Sequence, residues 1–558
     1  MGLDFFRQQL KLSYTLKIGY GRVKKVVLLM VMMYIPMKMM RDLREDTRMS
    51  VNKELKEING YRRCSELVFY ICMNRKGRRS STPCPRLEDV PELLQHIQSW
   101  LPLEEATRTS VLSKSWLQAW STIPTLRFYV LSEHEIIKQM TLKRKHMKLV
   151  DVERTLIRYL RDNLQIEKFN LKIDIDNQES ASLAEKWIQS VATKSCLKEL
   201  SLNIRLLGAS LRLPDEILSG ENLTKIRVSA SSTMVIHSDS MKTSHHPKCV
   251  SLRELHLHDV LISEEVLHDI LSSCNLLEEI HLVRCSGDLN AIRIKNLPCL
   301  YHLHIVTNDG GSTALEINHV PILRVFTCNV IMHGRSKRPL INAHSISLGS
   351  NVTKLTLCSG VFIDNASLDM MINSGLHCLE SLTLDLTCWT SKTFYFTSAS
   401  IKRFSLLDCP QLVDVVHVTA PKLLFWTFKG EMMPRLLFPD STLEEIEFQL
   451  RITIPRLSAS FFLNMRKAVA LATKCNIHID ISYKNHDLQP FEIDIDDLRA
   501  RLPFPPAINV VVYLRTNGDE CLWERSAFFD AFFEICHPIR TYIQVQTRSS
   551  NTRITFAG

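Results

Sequence analysis

The sequence CLKELSL at residues 196–202 decides the fold class of this chain, because copies of it recur along the polypeptide. The clearest copies are SLRELHL at 251–257, LLEEIHL at 276–282, CLESLTL at 378–384 and TLEEIEF at 442–448. Each copy keeps three apolar residues in the frame L-x-x-L-x-L, with mostly polar residues between them. Weaker copies begin at Ile166, Leu223, Leu300, Leu323, Val352, Ile401 and Leu423. All twelve copies are 20–31 residues apart, a spacing that indicates stacked repeat units.

The repeats predict a solenoid over residues 165–450 in which each copy supplies one strand and one return segment. The apolar residues of each strand should point into the core, while the alternating residues face solvent on the concave side. A helical return segment is evident only at residues 264–271, and the other return segments are expected to be irregular. This spacing is that of leucine-rich repeats.

The repeat period is lost after Phe448, and the last hundred residues carry a mixed pattern. Helices are predicted at 459–472 and through Trp523 to Phe532, and strands at 478–483, 508–514 and 542–546. We expect residues 451–558 to form an α+β region that either caps the open end of the solenoid or shapes the substrate site.

A second pattern lies upstream, where residues 86–128 read RLEDVPELLQHIQSWLPLEEATRTSVLSKSWLQAWSTIPTLRF. The spacing of the apolar residues predicts three short helices. The first begins at Pro91 and stops at Pro102, the second spans 103–112, and the third is capped by Ser113. A unit this small cannot bury its leucines and tryptophans alone, so it requires a partner surface.

The block Arg108-Thr-Ser-Val-Leu-Ser-Lys114, followed by Trp116, closely resembles the F-box of plant proteins. Further matching residues are Val90-Pro91, Ile97, Ser99, Leu101-Pro102, Glu105-Ala106, Trp120, Pro124, Leu126 and Phe128. The repeats resemble the irregular repeats of plant F-box/leucine-rich-repeat proteins, and the stretch ICHP at 535–538 resembles their C-terminal regions.

This resemblance implies an α+β protein: a small three-helix F-box, an irregular leucine-rich-repeat α/β solenoid and an α+β C-terminal cap. The implied domains are a basic, disordered leader (1–83), the F-box (84–130), a helical linker (131–164), the solenoid (165–450) and the cap region (451–558).

The resemblance also implies a non-catalytic substrate-recognition subunit of a cullin-based, SCF-type E3 ubiquitin ligase. The F-box would dock on a Skp-type adaptor, and through it on a cullin, while the repeats bind an unknown target protein. The residues expected to contact the adaptor are Pro91, Leu94, Ile97, Leu101, Pro102, Val111, Leu112 and Trp116.

An alternative stays open: a leucine-rich-repeat scaffold or ligand sensor that does not assemble into a ligase. Two departures from the F-box pattern support it. Val90 stands where the family has leucine, and one residue fewer separates Pro91 from Leu93.

The charge distribution argues against a nucleic-acid partner. Residues 1–85 carry 18 Lys and Arg against 7 Asp and Glu, whereas the remaining 473 residues hold 51 basic and 52 acidic side chains. The body of the chain is therefore electrically balanced. The apolar run at 26–35 is about half as long as a membrane-spanning helix requires, so no stable membrane insertion is expected. Basic runs at 75–79 and 143–145 are compatible with nuclear import, and we expect the protein in the nucleus, the cytoplasm or both.

No supported catalytic constellation and no cofactor motif is evident, so the sequence predicts a protein that is not an enzyme and needs no cofactor. The 16 cysteines include no C-x-x-C pair, which argues against a zinc site made of thiolates.

A histidine-rich patch is expected on the solvent-facing side of three consecutive strands. Its members are Glu254, His256, His258, Glu279, His281, His302 and His304. Because adjacent strands lie about 4.8 Å apart, His256, His281 and His304 should form a row across the sheet. This patch is either an ordinary solvated face of the sheet or a candidate site for the target protein. No metal is expected there, since three in-line imidazoles on a flat sheet do not easily surround an ion. Nearby glutamates would favour the charged imidazole and make binding pH-sensitive.

Overall fold

The structure is a computed structural model that describes the chain from Pro91 to Ala557, all within one compact unit, Arg86–Gly558. The description leaves out residues 102, 132–137, 195, 237–248, 288, 309–313, 332–340, 343–345, 359–360, 363–367, 369–370, 372–374, 388, 390, 410–411, 413, 440–442, 454–458, 483–499, 501–508, 518–532, 534–539 and 547–550. The predicted leader, Pro102, the helix through Trp523 to Phe532 and the ICHP stretch therefore lie outside the described residues.

Strands dominate the described part of the chain. In chain order they are β1 Thr125–Val130, β2 Lys168–Ile175, β3 Glu199–Leu206, β4 Leu211–Arg212, β5 Lys225–Ile236, β6 Glu254–Ile262, β7 Glu279–Val283, β8 Ala291–Lys295, β9 His302–Asn308, β10 Ala314–Asn318, β11 Val325–Ile331, β12 Ile341–Asn342, β13 Lys354–Cys358, β14 Val361–Phe362, β15 Ser381–Asp385, β16 Thr393–Thr397, β17 Arg403–Cys409, β18 Val415–Thr419, β19 Phe425–Gly430, β20 Arg435–Leu437, β21 Leu443–Thr453, β22 Ala472–Ser482, β23 Asn509–Asn517, β24 Arg540–Gln546 and β25 Asn551–Ala557.

Helices are fewer and cluster toward the N-terminal side. They are α1 Pro91–Trp100, α2 Leu103–Thr109, α3 Lys114–Ser121, α4 Lys138–Arg161, α5 Gln178–Ala192, α6 Glu264–Ser273 and α7 Ala459–Val469, with a 3₁₀ turn at Asp215–Ser219. In the described part of the chain, no helix is long and apolar enough to cross a membrane.

All twelve repeat copies lead into strands of one sheet of 18 strands, which we call the main sheet. Successive strands pair in parallel and in matched register, as where Leu200 of β3 lies beside Phe169 of β2. The first residue of the L-x-x-L-x-L frame is buried in every copy, and side chains along the strands alternate between buried and partly exposed. A row of buried leucine, isoleucine and phenylalanine therefore runs from repeat to repeat, which confirms a repeat solenoid.

The return segments are more regular than predicted. The helix at 264–271 is present as α6, but α5 is a second helical return segment, and several others contain short strands. The strands β8 and β10 pair in parallel, as do β12 and β14, and β16, β18 and β20 form a three-stranded sheet. These strands were missed because each is only two to five residues long.

The main sheet does not end where the period is lost. Strand β22 pairs in parallel with β21, β23 with β22, and β24 with β23, before β25 closes the series as an antiparallel strand. Residues 451–558 thus continue the solenoid sheet in their described parts. The predicted helix at 459–472 and the predicted strands at 478–483, 508–514 and 542–546 correspond to α7, β22, β23 and β24.

The main sheet also begins earlier than predicted. Residues 125–130, assigned from the sequence to the end of the F-box, form β1 and pair in parallel with β2. Helix α4 covers most of the predicted linker, and its Val152, Leu156 and Tyr159 join the continuous core of the sheet. The linker is therefore an integral part of the solenoid.

Gly287 is a position where the repeat packing excludes any side chain. Its φ is +122°, and a Cβ there would lie 2.6 Å from the backbone oxygen of Ile262. We expect Gly287→Ala to lower the free energy of unfolding by at least about 1–3 kcal/mol, measured by urea denaturation. Gly208→Ala is the matched control, because Gly208 also has a positive φ (+91°) but has nothing within 4 Å of its Cβ position. Equal losses in the two variants would attribute the effect to φ alone and contradict the steric argument.

Candidate functional site

Helices α1, α2 and α3 form a small bundle whose boundaries match the sequence expectation closely. Helix α1 begins at Pro91, and Ser113 caps α3 by accepting a hydrogen bond from the backbone N–H of Trp116 at 3.4 Å. Helix α2 ends at Thr109, three residues earlier than predicted. Two small apolar clusters hold the bundle together, one around Leu94 and Trp116 and the other around Leu101.

A buried glutamine ties the three helices to one another. The side-chain amide of Gln98 in α1 donates hydrogen bonds to Thr109 Oγ1 (3.0 Å) and to the carbonyl oxygen of Trp116 (3.1 Å). Because Gln98 is 1% exposed, these contacts are shielded from water. The relative positions of the helices are therefore fixed by a specific polar contact as well as by apolar packing.

The structure separates the predicted adaptor-contacting residues into three groups: buried, half-buried and exposed. Leu94, Leu101 and Trp116 are buried, so they shape the bundle and offer no free surface. Ile97 and Leu112 are half-buried, while Pro91 and Val111 are exposed. Pro102 lies outside the described residues. The surface available to a partner thus comes from the second and third groups.

Val111 is the most exposed large apolar side chain in the described part of the chain, at 84%. It lies in the turn between α2 and α3, and Leu117 in the first turns of α3 is 50% exposed. Leu117 was missed by sequence reasoning; as the direct neighbour of Trp116 in sequence, it lies about 100° around the helix from that inward side chain. Two exposed apolar side chains next to one capped turn are a candidate contact surface.

The bundle is anchored to the main sheet through α4. The Tyr159 hydroxyl donates a hydrogen bond to the carbonyl oxygen of Ile123 (2.9 Å), and the Arg158 guanidinium lies 4.7 Å from the centre of the Trp120 ring. Burial raises the pKa of Tyr159, so its hydroxyl keeps the proton that it donates. The bundle is thus joined to the repeats by side-chain contacts as well as by the polypeptide chain.

The histidine-rich patch lies where predicted, on the face of the main sheet that points away from the core. His256 of β6 pairs in register with His281 of β7, which pairs with His304 of β9. In the adjacent row, Glu279 lies between Glu254 and His302. The predicted row across the sheet is therefore present.

The imidazole rings in this patch are in direct contact. His256 and His281 stack with ring centres 4.1 Å apart and planes 10° apart. His302 and His304 approach His281 edge-on, at 4.6 and 5.3 Å between ring centres. Nε2 of His256 lies 3.6 Å from Glu279 Oε2, and the Tyr301 hydroxyl donates a hydrogen bond to Glu279 Oε1.

The other patch members are engaged elsewhere. Glu254 forms ion pairs with Lys225, at 2.7 Å, and with Arg227. His258 Nδ1 lies 2.8 Å from Asp259 Oδ2, and Asp259 is also bound by Arg284. The compact centre of the patch is therefore His256, Glu279, His281, His302 and His304, which we call the histidine cluster.

The electrostatics of the histidine cluster differ from the sequence expectation. Burial, together with the neighbouring imidazoles, lowers the pKa of His281 to about 2, and burial also lowers the pKa of His302 and His304. Interaction with the His256 imidazole and a hydrogen bond from Tyr301 hold the pKa of Glu279 well below its usual range. The glutamate therefore does not keep these three imidazoles charged, because loss of water outweighs its attraction.

The sign of the pH dependence follows from these shifts. A histidine that stays neutral when folded but takes up a proton near pH 6.5 when unfolded favours the unfolded state as the pH falls. We expect the wild type to lose free energy of unfolding relative to His281→Gln between about pH 7 and pH 5 in metal-free buffer. Urea denaturation at both pH values measures the difference. Parallel losses in the two proteins would contradict a neutral His281.

Comparison with known proteins shows which proteins the repeats resemble. Residues 184–347 match the family model described as FBD-associated F-box protein At5g56370, LRR repeats. The chain is 24% identical over 318 residues to the Putative F-box/LRR-repeat protein At3g18150 of Arabidopsis thaliana, covering 56% of this chain and 61% of that protein. It is 26% identical over 316 residues to the Putative FBD-associated F-box protein At5g56410 of the same plant, covering 51% and 58%. The resemblance to plant F-box/leucine-rich-repeat proteins is confirmed.

The match is partial in length. The chain spans about three fifths of those two relatives, and 53% of the F-box/LRR-repeat protein At2g42720 of Arabidopsis thaliana, with which it shares 27% identity over 246 residues. The names of these relatives describe F-box proteins, and two of the three names include leucine-rich repeats. The binding partners of this chain are therefore proposed below.

Proposed function

We propose that this chain is a non-catalytic substrate-recognition subunit of a cullin-based, SCF-type E3 ubiquitin ligase. Helices α1 to α3 act as an F-box that docks on a Skp-type adaptor, which connects the chain to a cullin. The outward face of the main sheet binds a target protein, with the histidine-rich patch as the candidate contact region. The protein acts in the nucleus, the cytoplasm or both.

The observation that carries this proposal is the exposed apolar surface around the α2–α3 turn. Val111 is 84% exposed in a bundle that buries Leu94, Leu101 and Trp116, and it belongs to the block that resembles an F-box. Exposed apolar groups next to a fixed turn can be buried by a partner without rearrangement of the bundle. Gln98 and the Ser113 cap supply that fixed geometry.

The proposed mechanism requires only that the chain hold its target protein in position. A target held on the sheet of a chain that is docked on the ligase stays near a ubiquitin thioester, which raises the effective concentration of its lysines. The contacts of Tyr159 and Arg158 support this role, because they join the bundle to the sheet. A flexible connection would dilute the effect.

Binding of the purified full chain to a plant Skp-type adaptor tests the proposal. We expect a Kd of about 1 µM or tighter by isothermal titration calorimetry, with recovery of a cullin when the adaptor and cullin are supplied together. Absence of adaptor binding by a folded chain would contradict the ligase role. The alternative, a leucine-rich-repeat scaffold or ligand sensor outside a ligase, would then be favoured.

A further inference from the structure

We infer that His256, Glu279 and His281 bind a divalent transition-metal ion of the zinc class on the outward face of the main sheet. One ligand atom from each of the three residues lies within 4.8 Å of the other two. Among the residues that the structure describes, this is the one group of three or more histidine, cysteine or acidic side chains that meets this condition. This site does not depend on adaptor binding.

The spacing of the ligand atoms fits one shared ion. Two ligands of a tetrahedral zinc ion, each about 2.0–2.2 Å from the metal, lie about 3.4 Å from each other. The 3.6 Å between His256 Nε2 and Glu279 Oε2 is close to this separation. An ion between these two atoms would therefore need little movement of either side chain.

His281 supplies the third ligand. Its Nε2 atom is buried and has no hydrogen-bond partner among the described residues. A buried imidazole nitrogen without a partner is costly, and coordination of a metal would satisfy it. Because His281 stacks nearly parallel to His256, one ring must turn about χ2 to aim both nitrogens at the ion. The χ2 wells of histidine are broad, so this rotation is accessible.

His302 and His304 reinforce the site from the next strand. His302 and His304 lie 4.6 and 5.3 Å from His281 with ring planes 73° and 72° apart. Both rings therefore lie beside the three ligands without joining them, and water takes the fourth position.

The protonation states suit a metal ligand. Metal binding requires neutral imidazole and ionised carboxylate, and both His281 and Glu279 have pKa values shifted in that direction. The expectation of no metal site considered only three in-line imidazoles. The structure adds a carboxylate from the neighbouring row, and one of its oxygens lies within 4.8 Å of a nitrogen of His256 and of His281. Nitrogen and oxygen ligands of this kind favour Zn²⁺, Ni²⁺ or Cu²⁺ over Ca²⁺ or Mg²⁺.

Zinc titration of the metal-free full chain against a chromophoric chelator tests the site. We expect one bound equivalent that is weakened at least about tenfold by His281→Ala and by Glu279→Gln, since changes even to outer-shell partners of metal ligands have effects of this size. His268→Ala is the matched control, because His268 lies on the neighbouring helix α6, is exposed and is outside the cluster. Its zinc affinity should equal that of the wild type.

Two further measurements keep the test decisive if a variant is less stable. Zinc should raise the midpoint of thermal unfolding of the wild type and of His268→Ala, and should raise that of His281→Ala less. One equivalent of Co²⁺ bound to the wild type should show the d–d absorption of a tetrahedral ion. A thiolate charge-transfer band should be absent, which distinguishes this site from one made of cysteines. Absence of a zinc equivalent, or equal affinity in folded His281→Ala and His268→Ala, would overturn the inference. Neither result bears on adaptor binding.

Discussion

Val111→Asp is expected to weaken binding of the full chain to a Skp-type adaptor by at least about 100-fold while leaving the fold intact. The side chain is 84% exposed, so the substitution removes little packing within the chain. At the proposed interface the carboxylate would be buried against an apolar surface without a partner charge, which is among the costliest changes an interface can undergo. Titration calorimetry measures the affinity, and circular dichroism checks the fold.

Two control variants separate this prediction from non-specific effects. Leu207→Asp places the same charge on another exposed leucine, 49% exposed, just after β3 and outside the bundle, and should bind the adaptor normally. Leu101→Asp is a poor probe of the interface because Leu101 is 7% exposed, so loss of binding would reflect a disrupted bundle. Normal adaptor affinity in Val111→Asp would contradict the placement of the interface at the α2–α3 turn.

The repeats were predictable from the sequence because every turn of the solenoid must meet the same packing requirement. Each strand must bury three side chains in the same frame. The twelve copies, ten of which carry only leucine, isoleucine, valine or phenylalanine there, all proved to be main-sheet strands. Register followed as well: the row of His256, His281 and His304 was deduced from the copies alone. Parallel pairing of equivalent positions leaves little freedom.

The ends of the sheet were missed because other residues fill the same frame. In β22 and its approach the frame positions are Ala472, Cys475 and Ile477, and Cys475 pairs in register with Ile446 of the preceding strand. Small side chains weaken the pattern without changing the geometry. At the other end, Leu126 and Phe128 match the F-box pattern and also occupy repeat positions in β1. Both residues fit two patterns, and they were assigned to the F-box because of the resemblance.

The candidate sites were predictable in position but not in detail. Sequence spacing identified the apolar residues of the bundle, yet it could not distinguish buried Trp116 from exposed Val111, because both fit a helical apolar pattern. The sequence also led us to expect that Glu279 would keep the neighbouring imidazoles charged. Burial of His281, which depends on all surrounding strands, outweighed that attraction. Solvent exposure depends on the tertiary structure, so an alternating pattern of residues in the sequence does not reveal it.

Trp426→Ala is expected to lower the free energy of unfolding by about 3–5 kcal/mol, the largest stability loss that we predict for a single substitution in the solenoid. The indole is 1% exposed and contacts three rings, with centres 5.6 Å from Phe428, 5.2 Å from Phe438 and 5.7 Å from Phe448. These rings belong to or adjoin β19, β20 and β21. A cavity at this point therefore removes contacts in two consecutive repeats at once.

Trp426→Phe is the matched variant, and its loss should be less than half as large. The Nε1–H of Trp426 is buried and has no hydrogen-bond partner in the described part of the chain, so phenylalanine removes an unsatisfied donor while keeping an aromatic ring. Urea denaturation measures both variants. Because stability in a solenoid is a sum over neighbouring repeats, amide hydrogen exchange should show the loss concentrated in β19 and β21. Equal losses in both variants would mean that the indole contributes something other than volume. Losses spread evenly over the sheet would mean that the repeats unfold as one unit.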